Sequence, residues 1–160
     1  MPMIPFMLAQ ALANANKSES EGEGAQAYAQ AVADFWGTAM TGFGNSVANS
    51  SAVVSIMKTE IEAMFKDSDG DGDSKAKAKA KCIDTAFKML MTSGPATQIT
   101  LTAMGKTLLE QDLKAIYASI NTPEIAGLKE ATAIYNYSTM SLVNGIIAGA
   151  PPIPVSGPLM

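Results

Sequence analysis

Apolar side chains return at intervals of three and four along most of this 160-residue chain, the period of an α-helix with one buried face. The densest run is Tyr28, Val32, Phe35 with Trp36, Ala39 with Met40, and Phe43. It predicts a helix from Ala25 whose later half is weakened by Gly37, Gly42 and Gly44, with a bend over 42–49. Val54, Met57, Ile61, Met64 and Phe65 predict a second helix that stops at Lys66. A third, capped by Asp73 or Ser74 and running to about Met91, would bury the stem of Lys79 with Ile83, Ala86, Phe87 and Leu90 before Ser93-Gly94-Pro95 ends it. Thr97 to Thr102 is β-branched and alternates loosely, enough for a short extended piece. Met104, Leu108 with Leu109, Leu113, Ile116 with Tyr117, and Ile120 restore the helical period. Thr122 as N-cap, Pro123 in the first turn and Glu124 at the positive end of the dipole open the last helix. Its inward positions would be Leu128, Ala131, Tyr135, Leu142 and Ile146, as far as Gly149.

The two ends break this pattern. Residues 1–16 carry no charged side chain and predict a helical arm anchored by Phe6, Leu8 and Leu12. Residues 17–24, KSESEGEG, contain nothing apolar and predict a solvated linker. Residues 25–149 form the helical domain, interrupted by an acidic loop at 67–74. Residues 150–160, APPIPVSGPLM, predict an extended proline-rich tail with Ile153, Val155 and Leu159 as apolar beads. The expected fold is all-α: a bundle of about five helices with an extended C-terminal tail.

No membrane span is expected. The uncharged stretch from Ala131 to Met160 is diluted by Asn136, Ser138, Thr139, Ser141 and Asn144 and broken by Pro151, Pro152, Pro154 and Pro158. Ala13-Asn14-Ala15 resembles a signal-peptidase site, yet no Lys or Arg precedes the apolar stretch before it.

Composition narrows the chemistry. The chain has no His, all 11 of its cationic residues are Lys, and Cys82 is its single cysteine. Ser-His-Asp and Cys-His catalysis, imidazole metal sites and an internal disulfide are therefore excluded. The absence of Arg and a net charge of -4 argue against readout of nucleic acid. Charged residues make up 16% of the chain against 48% hydrophobic ones, so several helix faces are expected to be covered by neighbouring subunits. The pairs Glu60 with Glu62 and Glu110 with Asp112 stand two apart on helices and diverge, giving no carboxylate dyad.

One motif carries a mechanism. Asp67, Asp69, Asp71 and Asp73, with Gly70 and Gly72 between them, match the first half of an EF-hand loop. The twelfth position, which needs a bidentate Glu, is Ala78. The readings are a solvated acidic hairpin balanced by Lys75, Lys77, Lys79 and Lys81, or a weak calcium site at the four aspartates. No other cofactor is implied.

Ala25-Gln-Ala-Tyr-Ala-Gln-Ala-Val-Ala-Asp-Phe-Trp followed by a Gly-rich bend, and the ending Gly145-Ile-Ile-Ala-Gly-Ala-Pro-Pro-Ile-Pro-Val, resemble small Ala-rich helical virion proteins of tailed bacteriophages. The resemblance covers about a third of the chain in style and excludes the Asp-rich loop. It implies a non-enzymatic structural subunit in the virion, at the neck or head-to-tail connector, with a tail or baseplate component as the nearest variant. A calcium-dependent binding module is the alternative from another class. The expected partners are other virion proteins and further copies of the chain in a ring or repeating assembly, docked through Phe6 and Leu8 at one end and Ile153, Val155 and Leu159 at the other.

Overall fold

The computed structural model describes residues 3–67 and 69–160. In chain order the elements are α1 (Pro5–Ala15), α2 (Glu21–Gly37), β1 (Ser46–Val47), a 3-10 turn (Ser50–Val53), α3 (Val54–Lys66), α4 (Gly72–Lys88), β2 (Thr92–Ser93), β3 (Ala96–Thr102), α5 (Lys106–Tyr117), α6 (Pro123–Met140), β4 (Leu142–Ile147) and β5 (Ile153–Pro158). The all-α expectation is overturned. Six helices are accompanied by two small antiparallel sheets, β1-β2 and β3-β4-β5, so the fold is mixed α and β.

The helical stripe from Tyr28 forms the centre of the core: Tyr28, Val32, Phe35 and Trp36 are all buried. Trp36 and Tyr137 each meet the ring of Phe87 edge-on at 5.2 Å between centroids. The indole Nε1 of Trp36 donates to Ser138 Oγ at 2.9 Å, so its polar atom is satisfied inside the core. α2 is longer than expected at its start and shorter at its end. Ser20 accepts from the Glu23 amide and caps the helix inside the segment read as a linker, while Thr38 turns its hydroxyl onto the Phe35 carbonyl where the helix stops. Met40 and Phe43, expected on the buried stripe, lie beyond that end in the turn before β1.

The larger correction concerns the C-terminal third. α6 ends at Met140 rather than Gly149. Ser138, Thr139 and Ser141 each bond a carbonyl four residues back, which competes with helix continuation, and Leu-Val-Asn-Gly-Ile-Ile then pairs as β4. Gly145 makes that pairing close: a Cβ there would stand 2.6 Å from Ile99 Cδ1 and 3.1 Å from Ala96 Cβ. The tail expected to reach a neighbour is instead β5, in register with β4 from Leu142↔Pro158 to Ile147↔Ile153. Leu159 is fully buried in the chain's own core, and Met40 and Met160 exchange backbone hydrogen bonds of 2.9 Å beside it.

Both edges of the three-stranded sheet are blunted. β5 carries Pro154 and Pro158, which have no N–H to offer a further strand. On β3 the buried side chain of Asn45 acts as a strand partner: its Oδ1 accepts from the Ala96 amide and its Nδ2 donates to the Ala96 carbonyl, both at 2.9 Å. The register then slips between Thr97 and Thr100 around Gln98, whose φ of 51° marks a bulge. No helix among the described residues is long and apolar enough to cross a membrane.

Candidate functional site

α1 is part of the body rather than an arm. Leu8, Ala9, Leu12, Ala13 and Ala15 face inward, and the helix lies between α2 and α6. Contact with α6 is close because Gly127 has no side chain: a Cβ there would meet the Ala9 carbonyl at 2.7 Å and the Ala13 amide nitrogen at 2.9 Å. Of the two N-terminal residues expected to bind a partner, Leu8 is therefore core, at 2% exposure, while Phe6 is exposed at 63%. Beside Phe6, Met7 is 66% and Ile4 44% exposed, so the uncharged outer side of α1 is an apolar ridge at its first turn that continues into exposed Gln10 and Asn14. A cavity of about 270 Å³ between α1 and α2 is lined by Ile4, Met7, Ala11 and Phe35, with Asp34 and Thr38 also on its wall. Another of about 540 Å³ between α1 and α6 is lined by Phe6, Gln10, Asn14 and Leu128. Lys17 and Glu124 close the far end of the second groove as an ion pair. Large apolar side chains gathered on one exposed face are the usual mark of a contact surface.

At the end of the bundle where the α1–α2 loop meets α4, α5 and α6 there is an open cleft of about 650 Å³. Lys79 and Glu130 lie at its base, with side chains 2% and 3% exposed and Nζ 3.0 Å from Oε2. The same carboxylate oxygen accepts from the Tyr28 hydroxyl at 3.0 Å. The Lys79 ammonium also sits over two rings, 4.5 Å from the centroid of Tyr28 and 5.2 Å from that of Tyr117. Burial is the largest influence and opposes the lysine's charge, but the charge and hydrogen bonding of Glu130 and Tyr117 together outweigh it, so its pKa is held above the ordinary lysine value. Such an ammonium is neither a base nor a nucleophile. Every member of the cluster already has a partner, and the arrangement fixes α2, α4 and α6 to one another.

A second buried carboxylate, Asp84, accepts from the Tyr137 hydroxyl at 2.9 Å and from Lys88 at 2.6 Å. Cys82 is buried, and its thiol pKa is pushed up to about 12, chiefly by burial with Glu60 adding to it, so it stays protonated.

Two of the four aspartates of the acidic loop, Asp67 and Asp71, are spent on chain geometry. Asp67 Oδ1 accepts from the amides of Asp69 and Gly70, and Asp71 Oδ1 accepts from the Ser74 amide and is the N-cap of α4, the role expected of Asp73 or Ser74. Asp73 reaches toward Lys114 at 4.0 Å. Among the described residues no three His, Cys, Asp or Glu side chains gather as they would around a metal ion.

The remaining residues expected to bind a partner divide. Ile153 is exposed at the tip of the β4–β5 hairpin, Val155 is half-buried, and Leu159 is core. The Lys79–Glu130 pair was half legible. Lys79 falls on the buried stripe with Ile83 and Phe87, whereas its partner was hidden by reading α6 about one position out of phase. The buried set is Gly127, Glu130, Ala131, Ala133, Ile134, Tyr137 and Ser138, and Leu128 points to solvent at 52% exposure. A carboxylate inside a stripe spaced three and four is the trace that could have found it. No protein family model, curated protein or solved structure matches this chain.

Proposed function

We propose that the chain is a non-enzymatic structural subunit of a bacteriophage virion, at the neck or head-to-tail connector, and that its outer α1 face is the contact surface. One observation carries the reading. Ile4 at the N-cap and Phe6 and Met7 in the first turn stand exposed at the start of a helix with no charged residue, although α1 is otherwise tightly packed into the subunit. A helix held that firmly presents its outer side chains as a rigid surface, which lowers the ordering cost of association. The buried ionic groups support the same reading, because Lys79, Glu130 and Asp84 are each engaged by partners inside the fold. Assembly through exchanged chain ends is replaced by assembly through a preformed face, since both ends belong to the subunit's own core and sheet.

The test is the composition of purified virions of the phage that encodes the chain. Peptides of this protein at a stoichiometry matching a ring or a repeating layer support the reading, and density for its six-helix body at the neck locates it. Particles that lack the chain while it accumulates in the infected cell overturn it.

A further inference from the structure

We infer that the open cleft between the α1–α2 loop and α4, α5 and α6 binds an alkylammonium group, carried by a small amine or by a lysine of another protein, with the ammonium on Glu130 Oε1. The Glu130 side chain is only 3% exposed and lines this cleft. Both of its hydrogen bonds, from Lys79 Nζ and from the Tyr28 hydroxyl, end on Oε2. Among the described residues, every fully enclosed side-chain nitrogen and oxygen has a hydrogen-bond partner. Oε1, which has none, therefore opens on the cleft rather than into the core. A carboxylate oxygen so nearly withdrawn from water gains from a donor that enters beside it.

The surroundings select the donor. One open oxygen suits a point charge, whereas a guanidinium fork needs two parallel acceptors and Oε2 is already taken. A metal ion is disfavoured by the Lys79 ammonium 3.0 Å from the same carboxylate, and an anion by the carboxylate itself. Three carboxylates, Glu19, Glu21 and Glu130, line the cleft against Lys75 and Lys79, an excess of one negative charge. Lys75 leans toward the acidic loop, where a Cβ on Gly70 would stand 3.2 Å from its Cε, so its charge is turned away. Glu19 and Glu21 belong to none of the ion pairs formed among the described residues. A monocation restores the balance that a neutral alcohol or amide leaves unmet, and the carboxylate stands between it and Lys79. Met64, Phe65, Ile116, Tyr117, Pro123 and Ala126 supply apolar wall for an alkyl stem. The volume, about 650 Å³, also leaves room for the backbone on either side of a lysine.

The probe is n-butylammonium, titrated into the full chain at pH 7 and followed by amide shifts in nitrogen–proton correlation spectra. Saturable shifts are expected at Gly24, Lys79, Tyr117 and Glu130, with a dissociation constant of about millimolar. n-Butanol, the neutral isostere, is expected to bind at least about tenfold more weakly. Glu19→Gln with Glu21→Gln is expected to weaken the amine about two- to fivefold and leave butanol unaffected. Ala126→Leu, at a half-buried position on the wall, is expected to abolish binding with the helical circular dichroism unchanged. A blocked lysine, Nα-acetyl-lysine methylamide, separates the sources: tighter binding than butylammonium supports a protein lysine as the natural occupant, and weaker binding supports a free amine. Absence of saturable shifts with butylammonium, butanol binding as well as the amine, or amine binding unchanged by both variants would each overturn the site.

Discussion

The Lys79–Glu130 pair is costly to bury and costlier to break. Removing two charges from water is offset here by a 3.0 Å contact, a tyrosine hydroxyl on the same oxygen and two ring faces around the ammonium. Glu130→Gln leaves the ammonium without its counter-charge and is expected to cost about 3 to 5 kcal/mol in urea denaturation. Replacing both partners, Lys79→Met with Glu130→Leu, is expected to cost less than that single change, because no orphan charge remains. If the double variant were the weaker protein, the pair would be a net stabiliser rather than an organiser of three helices. The tyrosines around it set the alkaline limit. Tyr28, Tyr117 and Tyr137 are all held above the ordinary phenol value, mainly by burial, with Glu130 adding for Tyr28 and Asp84 for Tyr137. A group whose folded pKa is raised stabilises the fold below its unfolded pKa, near 10 for tyrosine, and that contribution is lost as pH climbs toward the folded value. Stability is therefore expected to fall above about pH 10. In a Tyr135→Phe background, where only these three tyrosines remain, tyrosinate absorbance is expected to appear together with loss of helical circular dichroism. Tyrosinate forming in the still-helical protein would contradict the buried placement.

At the scale of elements, the helix–helix seams rest on small side chains and the chain ends rest on strand pairing. Gly127→Ala pushes a methyl group to within 2.7 Å of the Ala9 carbonyl and is expected to cost about 1 to 3 kcal/mol, measured by thermal unfolding. An unchanged melting temperature would mean that α1 is loosely held. Leu159→Ala removes a fully buried side chain and is expected to cost the isolated subunit about 2 to 5 kcal/mol. A tail that docked only on a neighbour would leave that stability unchanged. The helices were legible where period and caps agreed: α3 ends at Lys66 and α6 begins at Thr122-Pro123 as their sequences dictate. The sheet was not, because its pairings are non-local. Leu142 and Ile146 satisfy the helical period of α6 as well as they satisfy a strand, and the choice falls to their partners Thr102 and Thr97 on β3, far back in the chain, and Pro158 and Pro154 on β5. Prolines in the tail read as a bar to secondary structure, but at a sheet edge they need no donor. Asn45 left no trace as an edge cap, since nothing in its neighbourhood announces a contact 51 residues away.

At the scale of the whole molecule, the division is between an interior that uses its ionic groups and an exterior that leaves one helix face bare and uncharged. The exposed methionines make that division measurable with internal controls. Met7 lies on the α1 ridge at 66% exposure, and Met91 lies after α4, away from it, at 65%. Matched exposure gives the two thioethers similar reactivity toward peroxide in the isolated chain. On the proposed function, the α1 face is covered when the protein does its work. The direct measurement is methionine oxidation footprinting, read by mass spectrometry, of the chain alone and within its assembly. Assembly is expected to slow sulfoxide formation at Met7 severalfold relative to Met91. Met7 oxidising as fast in the assembly as in the isolated chain would contradict it.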